Sequence, residues 1–129
     1  MRYRNKHNGN IQFIEVDLPS VVEGKQKLYD KYLKQVEDKV ENPPKNSNFV
    51  PFDLNECGGK SPKSLIDVLS KNSDFRTDVP TMFVFEAVLF YVEEDAIRNI
   101  MNDLSTFMTR RNSNNPTAPE ALLCMTGKC

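Results

Sequence analysis

Short apolar runs alternate along the chain with longer amphipathic stretches. Residues Ile11 to Val16 read IQFIEV, a β-rich run that follows the turn-forming Asn8-Gly9-Asn10 and ends in Asp17, and this predicts a strand. Beyond it Val21, Val22, Leu28, Tyr32, Leu33, Val36 and Val40 recur at helical intervals among Lys, Glu, Asp and Gln. That spacing predicts one amphipathic helix, ending before Glu41-Asn42-Pro43-Pro44. Pro19 suits its first turn, where a missing N–H costs nothing, and Asp17 or Ser20 can cap it. Gly24 weakens the helix by about 1 kcal/mol relative to Ala.

After a polar loop, Phe49-Val50-Pro51-Phe52 predicts a second strand, short or at a sheet edge because Pro51 removes a ladder donor. Asp53 stands at its end. Ser61-Pro62 reads as the start of a second helix, with Leu65, Ile66, Val68 and Leu69 as its buried stripe and Asn72-Ser73-Asp74 as its stop. The strongest strand runs from Thr81 to Phe85 and continues through Glu86 to Tyr91; a continuous apolar run suits a strand covered on both faces. A last helix starts near Glu93. Glu93, Glu94 and Asp95 in its first turn and Arg110 and Arg111 in its last complement the helix dipole. Ala96, Ile97, Ile100, Met101, Leu104, Phe107 and Met108 form its inner face. From Asn112 to Glu120 the residues are mainly Asn, Ser, Pro and Thr, which predicts a flexible tail, with Ala121 to Met125 as a short helical turn.

Strand, helix, strand, helix, strand, helix implies an α/β architecture of three mostly parallel strands alternating with helices. The predicted organisation is a basic arm over residues 1–10, an α/β domain over 11–111 and a tail over 112–129. A chain of 129 residues is long enough for one domain with a real core.

A net charge of −1 argues against a nucleic-acid binder that works through a basic face. The one basic cluster, Arg2, Arg4 and Lys6, reads as a solvated arm, as does His7. No apolar run approaches the ~20 residues that span a bilayer, and no apolar stretch follows the N-terminal charges, so the expectation is a cytoplasmic protein without a membrane anchor. Cys57, Cys124 and Cys129 match no zinc or redox spacing, so no metal is expected.

Ligands of open α/β sheets bind beyond the carboxyl ends of the strands, where Asp17, Asp53 and Glu86 stand. A carboxylate there matches a vicinal diol, because two acceptor oxygens can receive two hydroxyls. Bland roles compete at each position: Asp17 as a helix cap, Asp53 as a cap or turn residue, Glu86 as a loop residue just past the strand end. A carboxylate within VFEAVLFY is costly to bury unpaired, so Glu86 must reach a partner, a ligand or solvent.

The stretches FIEVDLPSVVEGK (Phe13 to Lys25), FVPFDLNE (Phe49 to Glu56) and VPTMFVFEAVLFYV (Val79 to Val92) resemble, in order and spacing, three motifs of the leucine carboxyl methyltransferase family. The resemblance covers about residues 11 to 108 and implies a partial Rossmann-like fold of the S-adenosylmethionine (SAM)-dependent methyltransferases. It implies that Asp17 binds the ribose of SAM, that Asp53 and Leu54 contact the adenine, and that Glu86 lies near the amino-acid end of the cofactor. Lys25 matches a family position without an assigned cofactor role. The implied reaction is methyl transfer to a carboxylate, such as the C-terminal leucine of a protein phosphatase catalytic subunit or a small carboxylate; no catalytic residue is assigned. The glycine-rich turn of such enzymes would fall before Met1. That departure favours an incomplete chain that self-associates through open sheet edges, and it keeps a second reading open: a non-catalytic module derived from a methyltransferase. An acidic strand end fits an unrelated dinucleotide-binding domain as well.

Overall fold

A computed structural model of the chain describes residues 11–36, 47–114 and 121–126. The basic arm, the end of the first helix at Val40, the Pro43-Pro44 stop, Cys129 and most of the polar tail lie outside the described residues. The chain divides into two units, Met1–Asp53 and Leu54–Cys129.

In the first unit β1 (Phe13–Asp17), α1 (Pro19–Val36) and β2 (Ser47–Pro51) follow in that order. The two strands pair in parallel, with Phe13 opposite Ser47 and Asp17 opposite Pro51. Phe52 extends the ladder, its N–H donating to the Asp17 carbonyl at 2.8 Å. The Leu18 carbonyl accepts the N–H groups of Val21 (3.0 Å) and Val22 (2.9 Å), so Leu18 is the cap position and Pro19 occupies the first turn, as its missing donor permits. Val22 and Tyr29 of α1 are buried, and Tyr29 meets Phe49 of β2 edge-on with ring centroids 6.2 Å apart. Val50 and Phe52 complete the buried set among the described residues of this unit. The stripe is narrower than the periodicity suggests, since Leu28 and Tyr32 are exposed.

The second unit runs through a 3₁₀ turn (Leu54–Cys57), α2 (Leu65–Asn72), β3 (Thr81–Glu86), a second 3₁₀ turn (Val88–Tyr91), α3 (Glu94–Asn114) and β4 (Ala121–Thr126). Its core is built on α3, where Ala96, Ile100 and Leu104 are at most 1% exposed, with Leu65 and Leu69 of α2, Cys57, and Phe83 and Phe85 of β3. Full burial of each large aliphatic or aromatic side chain contributes about 1.5–3 kcal/mol. Phe75, Phe83 and Phe107 form a mutual aromatic cluster with centroids 5.8–6.2 Å apart.

Beside the apolar stripe of α3 runs a polar one at i, i+4 spacing, Asp95, Asn99 and Asp103, which holds the connection from the first 3₁₀ turn to α2. Asp95 accepts the Gly59 N–H at 2.8 Å, Asn99 donates to the Cys57 carbonyl at 2.8 Å, and Asp103 accepts both Ser64 Oγ–H (2.8 Å) and the Ile66 N–H (3.0 Å). Gly58 passes so close that an added Cβ would lie 2.7 Å from the Asp95 carboxylate, and Gly59 adopts φ 78°, a left-handed value that suits glycine.

Four differences from the sequence reading have physical causes. First, the strands do not form one sheet of three: β1 pairs with β2 and β3 with β4, each pair parallel. The α/β character and the parallel sense stand. Second, Ala121–Thr126 is a strand rather than a helical turn, because β3 offers a ladder of backbone partners, Thr81 opposite Ala121 through Glu86 opposite Thr126, and such pairing outweighs local propensity. Third, β3 stops at Glu86. Ala87 takes a left-handed conformation (φ 54°) and Val88–Tyr91 winds into a 3₁₀ turn. Nor is the strand covered on both faces: Phe83 and Phe85 point into the core while Met82 (61%) and Val84 (57%) face outward. Fourth, α2 begins at Leu65, since the cap is Ser64, whose Oγ accepts the Asp67 N–H, and Ser61-Pro62 precedes the helix. Among the described residues no helix is long and apolar enough to cross a membrane.

Candidate functional site

Asp17 closes β1, and the β-α-β connection puts it at the carboxyl end of the first sheet. Asp53 reaches the same end, because the Phe52 N–H is bonded to the Asp17 carbonyl and Asp53 is the next residue. These two sequence-derived carboxylates therefore share one end of one sheet. The Asp17 side chain is 33% exposed; its Oδ1 accepts the Leu18 N–H at 2.8 Å and its Oδ2 lies 3.5 Å from Lys25 Nζ. The Leu18 N–H precedes the helix proper, so Asp17 does not cap the first turn of α1. Asp53 is half-buried and is the last residue of the first unit.

Lys25 was missed by the sequence reading as anything but a motif position. It lies three residues after Val22 and four before Tyr29, on the inward stripe of α1, and its ammonium pairs with Glu15 as well as Asp17. Glu15 and Asp17 are alternate residues of β1 and so share a face. The Lys25 pKa is raised, chiefly by its hydrogen bond to Glu15, with Asp17 adding to it. The signal available in the sequence was a lysine at a stripe position facing a strand with carboxylates at i and i+2.

Leu54 and Glu86 belong to the second unit. Leu54 is half-buried and opens the first 3₁₀ turn, which is anchored from within: Asn55 Oδ1 accepts the Glu93 N–H at 2.8 Å, and Asn99 holds Cys57 at the other end. Glu86 is the last residue of β3 and is exposed, on the same face as Met82 and Val84, so the carboxylate meets solvent as its cost of burial requires. The left-handed Ala87 that follows turns the chain sharply at this strand end, at a cost of about 1–2 kcal/mol for a residue with a Cβ.

Two other features of the second unit are accounted for by the fold. A shallow polar depression involves Ser64, Asp67, Asn99 and Asp103, but its central groups are engaged in the α3-to-α2 clasp. Cys57 is 1% exposed and burial pushes its thiol up to about 11, which makes it an inert core residue. Among the described residues no group of three His, Cys, Asp or Glu is arranged to hold a metal ion.

A strand ending in E-V-D with Leu-Pro after it, a second strand followed by an Asp-Leu pair and a third ending in Glu thus carry the residues that the family resemblance singled out. Residues 1–105 match the family model for leucine carboxyl methyltransferases. The chain belongs to the leucine carboxyl methyltransferase family. Comparison with curated proteins and with solved structures finds no match. Membership makes the chain a methyltransferase-family protein, and its mixed α/β structure with parallel strands is compatible with such a fold.

Proposed function

We propose that this leucine carboxyl methyltransferase family member binds SAM through Asp17, Asp53, Leu54 and Glu86 and serves methyl transfer to a carboxylate. The carrying observation is the end of the first sheet, where Asp17 and the segment leading to Asp53 are fixed together by the 2.8 Å ladder bond while the Asp17 carboxylate stays one-third exposed. That carboxylate fits a ribose diol: each oxygen has one partner, and a carboxylate offers about four acceptor sites. Asp53 would receive the adenine amino group, Leu54 would pack on the ring, and Glu86 would serve the ammonium end of the cofactor.

SAM supplies an electrophilic methyl group on a sulfonium. A carboxylate acceptor is already ionised at neutral pH, so this chain's residues are left to bind, orient and exclude water rather than to move protons. The acceptor we propose is the C-terminal leucine of a protein phosphatase catalytic subunit or a smaller carboxylate. The observation that favours the second reading, a non-catalytic module, is the outward apolar face of Met82, Val84 and Leu122, which a complete enzyme would be expected to cover.

Calorimetric titration of the chain with SAM separates the two. Saturable heat, abolished by Asp17→Ala, supports cofactor binding. Absence of heat up to millimolar SAM leaves the module reading, and undiminished affinity in Asp17→Ala removes that residue from the site.

A further inference from the structure

Lys25 occupies a position that an apolar residue would ordinarily take. It stands on the inward stripe of α1 between Val22 and Tyr29, which are 8% and 7% exposed, and its ammonium reaches Glu15 and Asp17 on β1. Two carboxylates face one ammonium, so the cluster keeps a net negative charge. The ammonium is not shared evenly: Glu15 holds it in the closer contact, and Asp17 stands off at 3.5 Å.

This asymmetry has a chemical consequence for Asp17. Its Oδ1 accepts the Leu18 N–H at 2.8 Å and its Oδ2 lies 3.5 Å from the Lys25 ammonium, so one oxygen is fixed by backbone and the other is biased toward the lysine by charge. Because Glu15 retains the ammonium, Asp17 is oriented without being neutralised by a tight ion pair. The acceptor sites left over belong to a carboxylate one-third exposed at the carboxyl end of β1. A fixed carboxylate loses less rotational freedom on receiving two hydroxyls than a free one, which is the usual source of gain from preorganisation.

We propose that Lys25 is a positioning residue for the ribose: anchored by Glu15, it sets the orientation of the Asp17 carboxylate that accepts the vicinal diol of an adenosine-containing ligand. This rests on the cofactor reading given above. The competing account is that Lys25 only balances charge beneath α1 and that any effect on binding comes from a loosened fold.

The two accounts differ in whether the effect depends on the hydroxyls. The full chain is titrated with S-adenosylhomocysteine and with its analogue lacking both ribose hydroxyls, for wild type, Lys25→Met, Lys25→Arg and Glu15→Gln. Expected is a five- to ten-fold loss of affinity for S-adenosylhomocysteine in Lys25→Met, a change under two-fold for the analogue, and recovery of most of the loss in Lys25→Arg. Glu15→Gln frees the ammonium to close on Asp17 and compete with the diol, so it too should weaken S-adenosylhomocysteine selectively, and it tests the idea even if Lys25→Met fails to fold. Equal losses for both ligands, or none for either, overturn the role of Lys25 alone. A wild-type chain that binds neither compound overturns the cofactor reading and this role with it.

Discussion

Asp103 offers the most direct test of how the second unit is held. Its carboxylate receives Ser64 Oγ–H and the Ile66 N–H, while Ser64 Oγ itself accepts the Asp67 N–H at 3.3 Å, so two donors of the first turn of α2 are satisfied through one Ser–Asp pair. Asp103→Ala removes two hydrogen bonds to a charged acceptor and leaves a half-buried helix donor without its partner. Bonds to charged groups contribute about 1.5–3 kcal/mol each and a helix cap about 1 kcal/mol; with partial replacement by water the expected loss is about 2 kcal/mol. At an unfolding entropy of about 2.1 cal/mol/K per residue, that lowers Tm by roughly 7 °C if the chain melts as one body, and by roughly 12 °C if the second unit melts alone. Asp103→Asn keeps an oxygen for the Ile66 N–H and should lose about half as much. Ser64→Ala combined with Asp103→Ala should cost about 1 kcal/mol less than the two changes added, because they break a shared bond. Scanning calorimetry reads the four variants beside wild type. An Asp103→Ala melt within 2 °C of wild type, or strict additivity with Ser64→Ala, would refute the reasoning.

Three further outcomes follow from the same unit. Ala87→Gly should raise stability by about 0.5–1 kcal/mol, since relief of a left-handed alanine (φ 54°) exceeds the added entropy of an unfolded glycine; a lowered thermal midpoint would show that the turn after Glu86 is unstrained. Cys57 should resist a maleimide at pH 8 in the folded chain while the exposed Cys124 reacts. Because the folded Cys57 pKa is raised, its contribution to stability is complete below the unfolded thiol range near 8.5 and falls away as pH climbs toward about 11. A urea midpoint that declines over that window in wild type and not in Cys57→Ala is the expected result; parallel declines would assign the alkaline loss elsewhere.

The sequence made β1, α1 and the start of β3 legible because their signals are local: an apolar run closed by Asp17, a periodic stripe through Val22 and Tyr29, and the TMFVF run. The polar stripe Asp95, Asn99, Asp103 has an equally local spacing, yet its partners lie 36 to 42 residues away, so nothing near it announces what it holds. The same distance effect hid β4, whose Leu and Met residues carry good helix propensity and become strand only when β3 supplies a partner. One-sided exposure of β3 was invisible for another reason. Both faces are apolar, and composition cannot say which is covered. At the candidate site the sequence placed Asp17 and Asp53 at strand ends, but only coordinates show that Asp17 is tethered to Lys25 and that Lys25 leans on Glu15.

Comparison of Asp17 with Asp103 states what distinguishes a carboxylate kept for a ligand from one spent on the fold. The partners of Asp103 are a cap hydroxyl and a helix N–H, groups from another element whose bonding would fail without it. The partners of Asp17 are the N–H of the adjacent residue and a lysine already paired with Glu15. Neither depends on it, and both lie where water can substitute. Removing the Asp17 carboxylate should therefore cost the fold little, under about 1 kcal/mol for an exposed ion pair and its neighbouring bond, while Asp103→Ala costs about twice that or more. Asp17→Ala should melt within about 4 °C of wild type if the chain melts as one body and yet lose SAM. If it melts as low as Asp103→Ala, the strand-end carboxylate is part of the protein's own hydrogen bonding, and the physical ground for reserving it for a ribose disappears.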